Sequence, residues 1–401
     1  MRPASPTVRA GLAGLLLLAA AARSPAADGP TRGDDPDNDR PRLHGPEVAE
    51  MAWAILARGS QMGPDDGWFH PSKSRYGWDR LAARHDADGD GSIAPGEFRG
   101  PAELFERLDR DRDGAVTAED LDWTAKAAYF RQVAPAGFAF AMADTNRNGR
   151  VSREEWLALF DRAAAGRPSL GAEDLRNLLI PPTPRRAPAE AFRPGDAPTT
   201  LALLKGLAKG ELGSRFEGPG PGQLAPDFTL KTQGGDRAVT LSGSRGKRPV
   251  VLVLGNFTCG PFRSRSGDLD ALHRRYRDRA EFLAVYVREA HPTDGWRMAS
   301  NDRVGVAIPQ PRVDAERIAV AQRCSRTLEL TIPLLVDTVD DHVGNAYSGM
   351  PDRLYVLDRS GTVAYQSGRG PFGFKPGEME QALVMLLLDQ ETPAEPAART
   401  P

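Results

Sequence analysis

The chain has few cysteines, little net charge and hardly any long apolar segment. Cys259 and Cys324 are its only cysteines in 401 residues. Two cysteines are too few for a zinc site built from thiolates alone, and a large domain does not depend on disulfides for stability. The formal net charge is -2 at pH 7, so the composition provides no general attraction to nucleic acid or to an acidic membrane surface.

The N-terminus has the layout of a secretory signal peptide. Arg2 and Arg9 accompany an apolar run from Ala10 to Ala22, and small residues follow it. That run is shorter than the ~20 residues of a spanning helix, which favours cleavage over an uncleaved anchor, and no later segment is long and apolar enough to cross a bilayer. We therefore expect residues 1–26 to be removed and the protein to be exported to the periplasm or the extracellular space.

Composition divides the remaining chain into five segments. A polar stretch at 27–46 is expected to be disordered, and an acidic, loop-rich module follows at 47–180. A linker rich in Pro and Gly, with one short helix, occupies 181–222. Residues 223–389 alternate between strand-like and helix-like patterns, and 390–401 form a second disordered tail. The pattern predicts a multidomain protein in which an all-α module precedes an α/β domain.

The acidic module contains three segments with the spacing D-x-[DN]-x-[DN]-G and an acid at place twelve, which is typical of EF-hand calcium loops. Calcium takes six to eight oxygen ligands, so alternate side chains point inward, the sixth residue is a glycine at a sharp turn, and the seventh residue contributes its backbone carbonyl. The predicted ligands are Asp86, Asp88, Asp90, Ser92 and Glu97 in loop one, Asp109, Asp111, Asp113, Ala115 and Asp120 in loop two, and Asp144, Asn146, Asn148, Arg150 and Glu155 in loop three.

The three loops differ in the ligands they offer. The first two bring four carboxylates each, although Asp120 is shorter than a glutamate, and the third brings only Asp144 and Glu155. We expect the third loop to bind calcium most weakly. Because calcium is abundant outside the cell, a structural role is expected rather than a signalling one.

Two further features bear on how the loops pair. The residue at the eighth place of each loop is apolar (Ile93, Val116 and Val151), and such residues join a short strand pair between two loops. The segment RPSLGAEDL resembles half of a fourth loop, but Ala163 at its first place cannot bind a cation and only Asp174 is acidic at its twelfth. It is predicted to be a metal-free partner of the third loop.

The C-terminal segment places Cys259 between a strand and a helix. RPVVLVLGN is the continuous apolar run of a buried parallel strand, and TCGPF and a helical pattern follow it. A helix N-terminus favours a thiolate, so we expect a thiol pKa below the ~8.5 of a free cysteine. Phe262 stands where C-G-P-C would have its second cysteine, and the alternative for Cys259 is a buried structural cysteine.

A second strand brings polar groups to the same region. EFLAVYV is followed by Glu289 and His291, and the carboxyl ends of parallel neighbours share one sheet edge. A carboxylate and an imidazole there suit thiol activation or proton delivery. The alternatives are a salt bridge from Glu289 to Arg288 or Arg353, and a helix-capping or surface position for His291. Pro351 precedes a predicted hairpin, where thioredoxin folds have the cis-proline that faces the cysteine.

The runs GNFTCGPF, YVREAHPTDGW, IPQ, PLLVDT, NAYSGMPDRLYVL and GRGPFGFKP occur in this order between about Leu201 and Leu388. In this order they resemble the iodothyronine deiodinase family, which has a thioredoxin-like fold. The resemblance implies reductive dehalogenation, with Cys259 in the place of a selenocysteine and an external thiol as reductant. It also implies proton supply by Glu289 and His291, and it allows a homodimer. The substrate site it implies contains Thr258, Trp296, Pro351 and Arg353.

The sequence departs from that family and leaves alternatives open. Phe257 stands where the family often has a cysteine, and Gln322 stands where it has a histidine. Cys324 is either a distant resolving thiol or a packing residue. A thiol peroxidase is a second hypothesis, although Asn256 occupies the place of the Thr or Ser that peroxiredoxins have. An exported calcium-stabilised binding protein with an inert redox domain is the third.

Overall fold

The computed structural model describes residues 45–59, 69, 71–180, 196, 198–214 and 216–391. The predicted signal peptide lies outside these residues, as do the two predicted disordered segments apart from two residues at the inner end of each. Residues 181–195, 197 and 215 of the predicted linker are also outside them. No helix in the described part of the chain is long and apolar enough to span a membrane.

The first half of the described chain is mostly helical. Its elements are α1 (Gly45–Arg58), β1 (Lys73–Ser74), α2 (Trp78–His85), β2 (Ser92–Ile93), α3 (Ala102–Leu108), β3 (Val116–Thr117), α4 (Ala128–Ala143), α5 (Arg153–Ala164), α6 (Ala172–Leu179) and α7 (Thr200–Lys209). Strands β2 and β3 pair with Ile93 opposite Val116. The strand pair predicted between the first two loops is therefore confirmed, whereas Val151 lies in no strand of the described residues.

The second half forms an α/β domain. Its elements are β4 (Thr229–Thr232), β5 (Ala238–Thr240), β6 (Val250–Gly255), α8 (Gly260–Ser264), α9 (Ser266–Tyr276), β7 (Glu281–Tyr286), α10 (Ala299–Arg303), α11 (Asp314–Thr327), β8 (Leu334–Val336), α12 (His342–Ala346), β9 (Arg353–Leu357), β10 (Val363–Gln366) and α13 (Pro376–Glu391). The sheet order is β1-β10-β9-β6-β7-β8-β4-β5. The predicted order, a helical module before an α/β domain, is confirmed.

The central strand β6 organises this sheet. It pairs parallel with β7, as the two apolar runs predicted, and antiparallel with β9, the first strand of the predicted hairpin. Successive side chains of a strand point to opposite faces. Accordingly Val251 and Val253 belong to one apolar core, while Leu252 and Leu254 belong to another on the opposite face. Both faces are therefore covered, which explains the unbroken apolar run.

The EF-hand module packs directly on the α/β domain. Leu104, Phe105 and Leu108 of α3 share one apolar core with residues of α9 and α13, and β1 extends the sheet beside β10. Helices α1 and α7 pack together through Met51 and Leu203 among others. The two halves that the sequence separates by a linker thus share a core and a sheet.

The third calcium loop makes the closest contact with the α/β domain. The Ser266 hydroxyl donates to the Asn148 carbonyl over 2.6 Å, and Arg150 forms an ion pair with Asp270. Gly149 has a φ of +77°, and a Cβ there would lie 2.4 Å from the Arg263 carbonyl oxygen. Only glycine fits this approach.

We predict that Gly149→Ala destabilises the protein more than Gly114→Ala. Both glycines hold the sixth place of a loop at positive φ, which costs a residue with a side chain about 1–3 kcal/mol. A Cβ at Gly114 meets nothing within 4 Å, whereas one at Gly149 meets the Arg263 backbone. Thermal unfolding without calcium should show a clearly lower Tm for Gly149→Ala. Equal losses would contradict the tight docking of the third loop.

Candidate active site and calcium loops

Cys259 lies where β6 gives way to the short helix α8. Cys259 occupies the N-cap position of α8, and only 2% of the residue is exposed. It lines a cavity of about 310 Å³, together with His291, Trp296 and Pro351. The cavity is therefore lined by the predicted nucleophile and by three other residues proposed from sequence.

The sulfur of Cys259 contacts a carboxyl group that the sequence analysis missed. Its thiol donates to Asp352 Oδ2 over 2.9 Å, and Asp352 is 1% exposed. Burial raises the pKa of Asp352 to about 7. Burial and the neighbouring Asp352 carboxylate raise the pKa of the Cys259 thiol well above its ordinary value.

The expected low thiol pKa is therefore wrong. Helix α8 has only five residues, so its terminal partial charge is weak against the loss of hydration in a buried site. The negative charge of Asp352 adds to the effect of burial. As the pH rises through about 7 the pair passes from two protons to one, and ionisation of one group opposes ionisation of the other.

Asn256 connects the cysteine loop with the strand ends around it. Its Oδ1 accepts from the Cys259 N–H over 3.0 Å and from the Ala290 N–H over 3.2 Å. Its Nδ2 donates to the Pro351 carbonyl over 2.9 Å, and the Met350–Pro351 peptide is cis. The residue that argues against a peroxiredoxin thus has a positioning role here. Nothing in its sequence context singled it out for that role.

Glu289 lies beneath the cysteine loop and outside the cavity lining. It is 3% exposed, and one oxygen accepts from both the N–H and the hydroxyl of Thr258, over 2.9 and 2.7 Å. Its other oxygen accepts from the Tyr286 hydroxyl. Burial raises the pKa of Glu289 above its ordinary value, and the hydrogen bonds that its oxygens accept from Tyr286 and Thr258 oppose that shift.

His291 is a neutral imidazole at physiological pH. Burial lowers its pKa to about 4. Its Nδ1 lies 3.2 Å from the Trp296 carbonyl, and since a carbonyl only accepts, the proton of the neutral ring is on Nδ1. The ring can therefore accept a proton at Nε2, and it is not a source of one near pH 7.

The remaining sequence-predicted residues divide between the cavity and its surroundings. Trp296 and Pro351 line the cavity, whereas Thr258 and Arg353 do not. The Arg353 guanidinium donates to the Glu217 carbonyl over 3.3 Å. Cys324 is a free cysteine buried in the apolar core, and burial raises the pKa of its thiol. These features favour a packing residue over a thiol that resolves Cys259.

Aromatic and aliphatic side chains form most of the cavity wall. Phe69 and Phe372 meet edge to face at 5.0 Å, and Trp296 meets His291 in the same manner at 4.7 Å. Leu203 and Met51 add walls from α7 and α1. Two helices that the sequence assigned to a linker and an EF-hand module therefore shape the site, and no local motif marks them for that task.

The three calcium loops share one internal frame. In each, the sixth-place glycine N–H donates to the first-place aspartate: Gly91 to Asp86, Gly114 to Asp109, and Gly149 to Asp144. In each, the twelfth-place acid accepts backbone N–H groups from the second and ninth places; these acids are Glu97, Asp120 and Glu155. The acid oxygens therefore converge inside every loop.

The first two loops fit a calcium ion best. Carboxylate oxygens of Asp86, Asp88 and Glu97 lie within 4.8 Å of one another, as do those of a triplet in loop two. Asp109 Oδ1 is buried without a hydrogen-bond partner, which suits an oxygen that ligates a cation. In the fourth segment Asp174 pairs with Arg167, in keeping with a metal-free role.

We predict that Asp352→Asn lowers the pKa of the Cys259 thiol. The change removes the facing negative charge and leaves an amide that donates to a thiolate. The fraction of thiolate at a given pH below the wild-type pKa should rise at least about tenfold, as for one pKa unit. The measurement is ultraviolet thiolate absorbance against pH in a Cys324→Ala background, so that a single thiol titrates. An unchanged titration curve would contradict the coupling.

Comparisons with known sequences agree with this architecture. A family model described as iodothyronine deiodinase matches residues 185–386, about half of the chain. A model described as EF hand matches residues 102–122 and 139–160, which contain the second and third calcium loops. The family match begins in the predicted linker and ends within α13.

Two relatives in sequence are thyroxine 5-deiodinases, and one solved structure is given beside them. Thyroxine 5-deiodinase of Gallus gallus is 35% identical over 216 residues, which are 51% of this chain and 82% of that protein. Thyroxine 5-deiodinase of Rattus norvegicus is 35% identical over 184 residues, 45% of this chain and 58% of that protein. The solved thioredoxin domain of a thiol-disulfide oxidoreductase from Bacteroides vulgatus is 15% identical with a TM-score of 0.28, over 38% of this chain and 92% of that one. The chain belongs to the iodothyronine deiodinase family, with an EF-hand module ahead of its thioredoxin-like domain.

Proposed function

We propose that the protein is an exported, calcium-binding thiol oxidoreductase that removes halogen from an aromatic substrate by reduction. The observation that carries the proposal is a cysteine thiol that is hydrogen-bonded to a buried carboxyl group and lines a cavity with aromatic walls. Relatives named thyroxine 5-deiodinase make an iodinated phenol the first substrate class to test.

The proposed chemistry uses one nucleophile and one acid. The Cys259 thiolate attacks the iodine of the aryl iodide, an S–I bond forms as the C–I bond breaks, and the ring carbon takes a proton. An external thiol then attacks the sulfur and displaces iodide, and a second thiol releases the enzyme thiol and leaves as a disulfide. The sum is one aryl iodide and two thiols giving the reduced arene, a disulfide, iodide and a proton.

Asp352 is the group best placed to manage the proton. It accepts a hydrogen bond from the attacking sulfur, and its pKa of about 7 lets it hold a proton near neutrality. Attack requires the form of the pair in which sulfur is ionised and the carboxyl is protonated. Glu289 lies outside the cavity lining and holds the cysteine loop by accepting hydrogen bonds from Thr258, while neutral His291 serves to orient the aromatic substrate beside Trp296.

Calcium has a structural role in this proposal. The first two loops each bring three carboxylate groups within 4.8 Å of one another, and carboxylate oxygens are ligands that calcium binds. The third loop packs against the start of α9, close to the cysteine helix. Bound calcium would hold the loops and hence the contacts they make. The ion takes no part in the halogen chemistry.

We predict that iodide release from an iodinated phenol with a small dithiol as reductant rises as the pH increases through about 7. Below that pH the Cys259–Asp352 pair holds two protons, and above it the pair holds the single proton that the reaction needs. Cys259→Ser should reduce release to the uncatalysed level. Asp352→Asn should remove the rise near pH 7. Peroxide consumption without iodide release would favour a peroxidase, and neither activity would favour an inert binding domain.

We predict that Asp120→Asn weakens one calcium-binding event at least about tenfold, whereas Asp174→Asn changes none. Both are aspartates at the twelfth place, but Asp120 closes an acidic loop and Asp174 pairs with Arg167. Calorimetric titration of the calcium-free protein measures this. Calcium at a hundredfold excess over Kd should stabilise the fold by about 2.7 kcal/mol per site. Equal effects of the two changes would refute the assignment of the loops.

A further inference from the structure

The active-site cavity has one wall residue from the third calcium loop. Arg147, at the fourth place of that loop, lines the same cavity as Cys259 and His291. It lies outside residues 185–386, the part of the chain that matches the deiodinase family. The third calcium loop therefore adds a charged side chain to a cavity that also has apolar walls from Met51 and Phe69, outside the family domain.

The three residues that follow Arg147 are packed against α9. The carbonyl of the next residue, Asn148, accepts from Ser266 over 2.6 Å, and Arg150 pairs with Asp270 on α9. A Cβ added to Gly267 would lie 2.2 Å from the Gly149 carbonyl oxygen, so the two backbones touch. The loop is thus held against the helix that follows the cysteine.

The other charged groups that line the cavity already have partners. Arg263 donates to the Phe257 carbonyl and to Asn301. Asp196 accepts from the Ser300 N–H over 3.2 Å and lies 3.8 Å from an arginine. Glu211 lies 4.0 Å from a lysine.

Arg147 differs from these groups. It is half-buried, and its guanidinium makes no hydrogen bond or ion pair with any residue the structure describes. A guanidinium presents several N–H donors in a planar fork that matches a carboxylate. In a partly desolvated site such a contact is stronger than it is in water.

We propose that Arg147 binds an anionic group, of carboxylate type, on the substrate, and so orients the halogenated ring towards Cys259. This inference rests on the proposed function. It makes the third calcium loop part of the specificity machinery of the enzyme, and it assigns the substrate class as a halogenated aromatic acid. Arg147 is a substrate-binding residue and takes no part in bond breaking.

Arg112 provides a matched control within the same chain. It holds the fourth place of loop two, with a φ of +62° against +54° for Arg147, but it is exposed and does not line the cavity. Changing either arginine to glutamine removes one positive charge from the same place of a calcium loop. Any general effect on loop folding or calcium affinity should therefore be similar in the two variants.

The experiment compares an iodinated phenol that bears a carboxylate side chain with the same phenol bearing the uncharged amide. Arg147→Gln should lower kcat/KM for the acid about 10–100-fold, mostly through KM, and leave the amide within about twofold, as for loss of one charged hydrogen bond. Arg112→Gln should leave both substrates unchanged, and Arg147→Lys should restore part of the loss. Equal losses for acid and amide would overturn the proposal.

A binding measurement keeps the proposal testable if the wild type releases no iodide. Calorimetric titration with the non-iodinated acid and amide should show tighter binding of the acid by the wild type and by Arg112→Gln. Arg147→Gln should bind the two alike. If the wild type itself does not distinguish acid from amide, Arg147 has no role in anion binding, whatever the reaction is.

Discussion

The contact between the Cys259 thiol and the Asp352 carboxyl group is the constraint on which the chemistry of this protein depends. Burial raises the pKa of both groups, to about 7 for Asp352. A thioredoxin-type helix terminus usually stabilises a thiolate. Here burial and the Asp352 carboxylate favour the protonated thiol instead. Asn256 and the cis-proline segment hold the two groups in place.

The calcium module is part of the architecture of the site. Its third helix shares an apolar core with the thioredoxin-like domain, and its third loop touches the backbone that follows the cysteine. The helices α1 and α7 close the cavity from the other side.

Local patterns predicted the parts of this protein that depend on local geometry. The calcium loops follow from ligand spacing, β6 from its unbroken apolar run, and the position of Pro351 from the hairpin after it. The Cys259–Asp352 contact joins residues 93 positions apart and depends on β9 lying beside β6. The predicted direction of the thiol pKa shift was wrong because the effect of burial exceeds that of a short helix terminus. Burial is a property of the whole fold.

The most direct test of this account is the infrared spectrum of the protonated Asp352 carboxyl group as a function of pH. The wild type should show a carboxylic acid band that disappears as the pH rises through about 7. The band should be absent from Asp352→Asn and should shift when Cys259→Ala removes its hydrogen-bond partner. A wild-type protein whose carboxyl bands all vanish near pH 4, the ordinary range of aspartate, would contradict a shared proton at the sulfur.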